Sequence, residues 1–397
     1  MAASRGCATR EGCAGGVVVA KDAQQVGTVV DHSQDQDEFR DPIARLVTSG
    51  LGGELVGLEP IAPGLGTRRF FRVHLTGGRV PVSTAIARIE LPEDSAGRPQ
   101  GVAPEPPLEP LRNFLEQAGL PVPKSYARDG AIQLLEDAGP LSLEDAAGQL
   151  AGDECRDLYA EACRLVPRLQ RLSASASEIA AFGRRLDPAL FAYKADLFAE
   201  WVLPLALGRA PAESEARAVR QAFAWIASEC EQAPLRLSHR DFKAANLYVR
   251  PLARDTPRLL LIDLQGAFMA PPEYDLVCLL RDSHVEIPEI EVQQHLASVR
   301  PELPDAPDPA TFARRFALLT LTRVGKDLAR YLYAAQTRDD RRYLRLLPRA
   351  VSLLREASST AAPWDARLGR LAELIHQLPT TFLGPLRPEE PDPACAR

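Results

Sequence analysis

Residues 70–75 (FFRVHL) and 80–91 (VPVSTAIARIEL) are short, mainly apolar runs rich in β-branched and aromatic residues. The intervening Thr76-Gly77-Gly78 reads as a hairpin turn, so these segments predict two adjacent antiparallel strands. An amphipathic helix near Pro42, with Ile43, Leu46 and Val47 on one side, precedes them. Residues 92–107 are a Pro/Gly-rich loop. Residues 110–118 then place Leu111, Phe114 and Leu115 on one face of a helix that Gly119, Pro121 and Pro123 terminate. A third strand is predicted over 131–136, with a turn at 137–139.

From Leu141 the character changes. Helical spacing runs through 143–175, 187–208 and 213–232. Two short apolar strands follow at 247–249 and 259–263, and helices resume at 273–283, 289–297, 308–336, 340–357 and 365–376. The pattern predicts an α+β, bilobal fold: a small β-rich lobe over 35–135 and a larger, mostly helical lobe over 136–385. Residues 1–34 and 386–397 are expected to be disordered extensions. No internal repeat is visible.

A chain of 397 residues can build such cores without a covalent staple. Its seven cysteines are odd in number and scattered without metal-site spacing, which points to a reducing, cytoplasmic setting. The net charge of −6 gives no global field for nucleic acid, and no run of 18 apolar residues exists to span a bilayer. Small molecules are therefore the expected partners.

The chemistry concentrates in His239-Arg240-Asp241-Phe242-Lys243-Ala244-Ala245-Asn246 and in Asp263, which closes the strand LLLID. An Asp and an Asn five residues apart on one loop can face a single small volume. A second Asp arrives there from the next strand. Phosphoryl transfer needs such a set: Asp241 to orient the attacking hydroxyl and accept its proton, Asn246 and Asp263 to hold Mg²⁺. The rival readings are an exposed loop Asp, a turn-capping Asn and a strand-ending Asp. His239 and Arg240 are expected to support the loop. Asp275 is expected to cap the following helix or to accept hydrogen bonds from the loop.

A phosphate grip is sought in the small lobe. Gly64, Gly66 and Thr67, in a turn ahead of the hairpin, offer backbone N–H groups. No lysine occurs between Leu55 and Pro123, so an arginine must supply the fixed cation. Arg88 interrupts the apolar strand TAIARIEL and is the choice; the competing expectation is that it faces solvent on an edge strand. Glu109 and Glu116 are the candidates for its acidic partner. Leu135-Glu136-Asp137, at the lobe junction, is where adenine would meet backbone groups, with Glu136 as the candidate residue.

These segments resemble the aminoglycoside phosphotransferase and choline kinase-like superfamily. More narrowly, they resemble the bacterial anomeric kinases of N-acetylmuramic acid and N-acetylglucosamine. The resemblance is carried by His239–Phe242, Asn246-Leu247, Asp263-Leu264-Gln265, Ala270–Asp275 and Cys278–Asp282, and extends over about residues 40–355. It implies a protein-kinase-like fold, ATP and Mg²⁺, with Asp241 as base and Asn246 and Asp263 as metal ligands. It also implies that Arg281, Asp282, Arg323 and Lys326 are candidates for contacting the acceptor. Departures from the subgroup's pattern fall at Ala270, Arg88, Lys194, Lys243 and His284, three of them expected near the acceptor.

The expected function is an ATP-dependent kinase acting on a hydroxyl, the anomeric one, of an amino sugar in cell-wall recycling. Aminoglycosides, other hexoses and amino alcohols are alternative acceptors. The arginine-rich C-terminal helices favour a neutral or anionic one over a polycation. A nucleotide-binding pseudokinase regulator is the alternative of another class, favoured by the missing lysine and opposed by the intact Asp241, Asn246 and Asp263.

Overall fold

The computed structural model describes residues 32–61, 68–79, 82–91, 105–150, 152–250, 258–305 and 307–379. Gly64, Gly66 and Thr67, most of residues 1–34 and all of 386–397 lie outside them. Helix α1 (His32–Leu46) begins within the last residues of the segment expected to be disordered.

Strands β1 (Gly53–Ile61), β2 (Arg69–Gly77) and β3 (Thr84–Ile89) are followed by α2 (Leu108–Gln117) and then β4 (Ser125–Asp129) and β5 (Ile132–Glu136). The five strands form one antiparallel sheet in the order β1-β2-β3-β5-β4. The hairpin turn lies where Gly77 and Gly78 adopt φ of 68° and 106°, a region that side-chain-bearing residues avoid. The two edge strands were not evident from the sequence. Gly57 and Pro60 blur the alternation of β1, and β4 (SYARD) is short and polar.

Strand alternation sorts this sheet into two faces. Phe71, Val73, Ala85, Ala87 and Leu134 pack with Ile43, Leu46 and Val47 of α1 and its continuation into the small-lobe core. Phe70, Arg72, Ile86 and Arg88, one residue out of phase, look the other way. Helix α2 is inserted in the small lobe by sequence, yet its Leu108, Leu111 and Leu115 join the core of the helical lobe.

That lobe contains α3 (Leu143–Ala147), α4 (Gly152–Gln170), α5 (Pro188–Leu197), α6 (Leu203–Leu207) and α7 (Glu213–Glu231). Next come β6 (Arg236–Ser238), β7 (Leu247–Val249), β8 (Leu259–Leu261) and β9 (Phe268–Ala270). It closes with α8 (Tyr274–Leu280), α9 (Glu289–Val299), α10 (Pro309–Thr337), α11 (Leu347–Ala361) and α12 (Ala366–Ile375). The π-helical turn Phe198–Val202 packs on α10 at Gly325, where a Cβ would lie 2.9 Å from Phe198 Cδ2. Glycine thus lets α10, which carries Arg323 and Lys326, approach the centre of the lobe. Cys155, Cys163, Cys230 and Cys278 are free thiols.

Lys194, one of the departures expected near the acceptor, instead lies in this core. It is 5% exposed, its Nζ has no hydrogen-bond partner among the described residues, and it stands 5.3 Å and 5.2 Å from the ring centroids of Phe191 and Tyr274. Burial, reinforced by Lys326 and Arg323, pulls its ammonium down to about 7. The folded value lies below the unfolded one, so the penalty is complete below about pH 7 and fades as pH rises toward the ordinary lysine range. Lys194→Met is therefore expected to stabilise the protein by about 2–4 kcal/mol at pH 7. Urea denaturation of both proteins across pH 7–10 checks this; the difference should shrink with rising pH.

Candidate active site

The two lobes enclose a cleft of about 830 Å³ whose walls include Arg88, Glu136, Asp241, Asn246 and Asp263. Its large-lobe wall is built by two small strand pairs. β6 pairs with β9, and β7 with β8, so the loop after β6 and the end of β8 meet side by side. The Ile262 N–H donates to the Asn246 carbonyl at 3.0 Å, which sets Asp263 beside Asn246.

The loop itself hangs from Asp275 at the start of α8. This fully buried carboxylate accepts from Ser238 Oγ at 2.7 Å, His239 N at 2.7 Å and Arg240 N at 3.1 Å. Arg240 adopts φ of 79°, and this triple anchor holds that left-handed turn. His239 Nε2 donates to the Ile262 carbonyl at 2.8 Å, tying the loop to the strand that delivers Asp263. His239 and Asp275 thus lie beneath the loop, and Arg240 forms its turn. Burial outweighs the hydrogen bonds at Asp275 and leaves its carboxyl above the usual range.

Asn246 is buried, and its Nδ2 donates to the Asp241 carbonyl at 2.8 Å. That bond fixes the amide so that Oδ1 is the end left for a ligand. Asp263 is exposed at φ 61°, with one oxygen accepting from Gln265 Nε2 at 2.6 Å. One amide oxygen and one carboxylate are few ligands for a dedicated metal cage, and no cluster of three or more His, Cys, Asp or Glu occurs among the described residues. They suit Mg²⁺, which keeps waters and takes phosphate oxygens for the rest of its shell.

Asp241 faces a cationic wall. Arg323 Nη1 lies 3.0 Å from Asp241 Oδ1. Arg323 Nε lies 3.3 Å from Asp327, which also takes Lys326 Nζ at 2.8 Å. Burial alone would raise the Asp241 carboxyl. Arg323 first, then Lys326, Arg240 and Lys243, reverse this and hold it well below the usual range. Lys326 is itself pulled down to about 8, by burial and then by Arg323. Asp327 was missed in the sequence, although it follows Lys326 and stands at i+4 from Arg323, where a helix places a partner.

In the small lobe, Arg88 lies on the central strand β3, opposite Phe70 on β2 and Gln133 on β5, and is 5% exposed. The solvent-facing edge-strand alternative is thereby corrected. Its acidic partner is neither Glu109 nor Glu116. Glu109 binds Gln133 and Arg112, Glu116 binds Arg112, and Arg88 pairs with Glu90 at 3.1 Å. Strand alternation puts residues 88 and 90 on one face, a signal that helix-based reasoning overlooked. Arg68 extends the network from Glu90 at 3.7 Å to Glu105 at 2.8 Å, and Glu105 reaches Arg240 at 3.6 Å.

Glu136 lines the cleft but is already committed. Its N–H donates to the Lys124 carbonyl at 2.8 Å and its carboxylate pairs with Arg250 at 2.9 Å. The Glu136 N–H, expected to meet a base, is thus already used within the sheet. Asp137 there takes Arg72 of β2 at 2.8 Å. Ile61, Ile86, Pro123, Leu135 and Ile262 supply apolar walls at this end.

At the other end stand Asp282, Arg323 and Lys326. Arg281 also borders the cleft, but its guanidinium pairs with Glu289 at 2.6 Å and Glu356 at 3.7 Å, so its charge is taken up by the scaffold.

A β-sheet lobe over a helical lobe, with the loop and strand-end carboxylates in the intervening cleft, defines a protein-kinase-like phosphotransferase that acts on the hydroxyl of a small molecule. The chain belongs to the phosphotransferase enzyme family, APH, whose profile matches residues 57–309. It is 26% identical over 286 residues to an N-acetylmuramate/N-acetylglucosamine kinase of Pseudomonas putida, covering 69% of this chain and 79% of that one. It is 28% identical over 288 residues to the kinase of the same name from Pseudomonas aeruginosa, covering 69% and 80%. Its fold matches an aminoglycoside 2′-phosphotransferase solved with GDP, at a TM-score of 0.51 and 17% identity over 83% of this chain and 99% of that one.

Because Arg323 is the foremost charge holding Asp241 ionised, its removal should raise the Asp241 pKa. In Arg323→Gln the acid limb of the kcat/KM–pH profile is expected to move up by about one pH unit or more. A limb at the wild-type position would show that Asp241 does not govern it.

Proposed function

We propose that this phosphotransferase is an ATP-dependent kinase of an amino sugar, acting on the anomeric hydroxyl of N-acetylmuramate or N-acetylglucosamine. The observation that carries this reading is the convergence of Asp241, Asn246, Asp263 and Arg88 on one cleft. The Pseudomonas relatives support the acceptor, and the neighbour solved with GDP supports a nucleotide donor.

In this reading the base of the nucleotide lies among Ile61, Ile86, Leu135 and Ile262. Arg88, braced by Glu90, fixes phosphate oxygens. Asn246 Oδ1 and the Asp263 carboxylate would hold Mg²⁺, which when bound neutralises charge on the phosphates. Asp241 receives the acceptor hydroxyl, aligns it and takes its proton as the new bond forms. With a depressed pKa, Asp241 stays ionised at neutral pH but is a weak base. Its main contribution is therefore orientation, the proton moving late in the transfer.

The acceptor end opposes a polycationic antibiotic. Lys243, Arg323, Lys326 and Arg330 line it, against Asp241, Asp282 and Asp327. A neutral or carboxylate-bearing sugar meets less repulsion there. The retained Asp241, Asn246 and Asp263 speak against a purely regulatory nucleotide binder.

Incubation with Mg·ATP and a sugar panel, reading ADP, tests the proposal; acceptor-dependent ADP from the two N-acetyl sugars is expected. Asp241→Asn should lower kcat by about 10²–10⁴ while leaving nucleotide Kd within a few-fold. Full activity of that variant would remove Asp241 from the chemistry. Arg88→Ala should raise the nucleotide KM by about tenfold or more, an interaction of at least 1.4 kcal/mol; steady-state kinetics with varied ATP would reveal it.

A further inference from the structure

One titratable pair in the cleft has no part in the phosphoryl transfer described above. Asp282 is 5% exposed on its side chain and is paired with no lysine or arginine among the described residues. Its Oδ1 accepts from His284 N at 3.0 Å and lies 2.7 Å from His284 Nδ1, while Oδ2 is buried without a partner there. A buried carboxylate compensated by a single imidazole fixes the tautomer: Nδ1 carries the proton and donates to Asp282. His284 Nε2 has no hydrogen-bond partner among the described residues, and His284 borders the cleft.

The surroundings hold the ring from several sides. Tyr331 of α10 meets it edge-on, with centroids 5.9 Å apart. The Tyr331 hydroxyl is itself 2.9 Å from Ser283 Oγ, and its ring stacks on Tyr343 at 5.4 Å. Glu144 of α3 and Lys243 of the catalytic loop act on His284 electrostatically. Tyr331 stands eight residues beyond Arg323 on α10, about 12 Å along the helix. The acceptor pocket therefore has an Asp241 end and a His284 end.

We propose that His284, clamped by Asp282, is the residue that selects an acceptor bearing a carboxylate, presenting Nε2–H to that group at the end of the pocket away from Asp241. The inference rests on the amino-sugar kinase reading and names which acceptor it prefers. Lys243, Lys326 and Arg330 share the wall and add to the attraction for an anion.

The state of the ring follows. Burial lowers the imidazole, but the Asp282 hydrogen bond and charge, with Glu144, more than offset that and raise it above its ordinary value. The imidazolium is thus favoured more than in a free histidine side chain. Affinity for a carboxylate should fall as pH rises through the raised pKa, whereas a neutral sugar should lack this dependence.

The test uses the full chain with N-acetylmuramate and N-acetylglucosamine as probes, which differ by a carboxylate-bearing ether. Imidazole NMR follows the titration of His284, its resonance identified by its loss in His284→Gln. N-acetylmuramate is expected to raise the pH at which His284 is half protonated, and N-acetylglucosamine to leave it unmoved. In kinetics, the KM for N-acetylmuramate should rise about tenfold from pH 6 to 8.5 in the wild type and distinctly less in His284→Gln, where Lys326, lowered to about 8, is left to titrate beside the acceptor. No movement of His284 with either sugar overturns the inference, as does a pH dependence equally steep in His284→Gln. Turnover of sugar without movement of His284 defeats this inference alone. Movement of His284 without ADP formation upholds it and defeats the kinase reading.

Discussion

The site depends first on one buried carboxylate. Asp275 collects three donors from consecutive residues, Ser238, His239 and Arg240, and so dictates the path of the chain entering the loop. The left-handed turn at Arg240 would cost free energy in an unconstrained chain. The Cys278 thiol, donating to the Arg240 carbonyl at 3.3 Å, closes the same turn from α8. Without that turn, Asp241 and Asn246 would not be presented to the same space. The scaffold uses a charge that is costly to bury, and compensates it with two backbone N–H groups and a hydroxyl.

Above that anchor, charge is arranged so that no member of the site stands alone. Arg323 bridges Asp241 and Asp327, and Lys326 completes the cluster. A carboxylate in this field is a poor proton acceptor but a well-fixed hydrogen-bond acceptor. That balance suits a reaction in which the leaving phosphoryl group, rather than the hydroxyl proton, carries most of the barrier. The same end of the cleft sets Arg323, Lys326 and Arg330 beside Asp241, Asp282 and Asp327.

Much of this was legible in the sequence. The strand–turn–strand of residues 70–91, the helix ended by Gly119, the change of character at Leu141 and the loop around Asp241 all follow from local pattern and spacing, and the structure carries them. What was not legible depends on contacts across sequence. The edge strands β1 and β4 owe their state to pairing with β2 and β5 rather than to their own propensity. Lys194 reads as an acceptor-pocket residue in one dimension and as a core residue in three. Glu136 looked available at a strand end until Lys124 and Arg250 were seen to occupy it.

Arg88 sets a cation on the cleft face of the small-lobe sheet. Arginine is longer and always charged, so on a central strand it can reach the cleft while its stem is covered by the neighbouring strands. A partner on a mobile helix would let the pair open and close. Glu90 sits two residues on, just past the end of β3, where the extended chain sets it on the same side as Arg88. Arg88 is consequently braced from within its own segment of chain. Helix α2 packs its leucines into the large lobe and joins the two halves of the molecule.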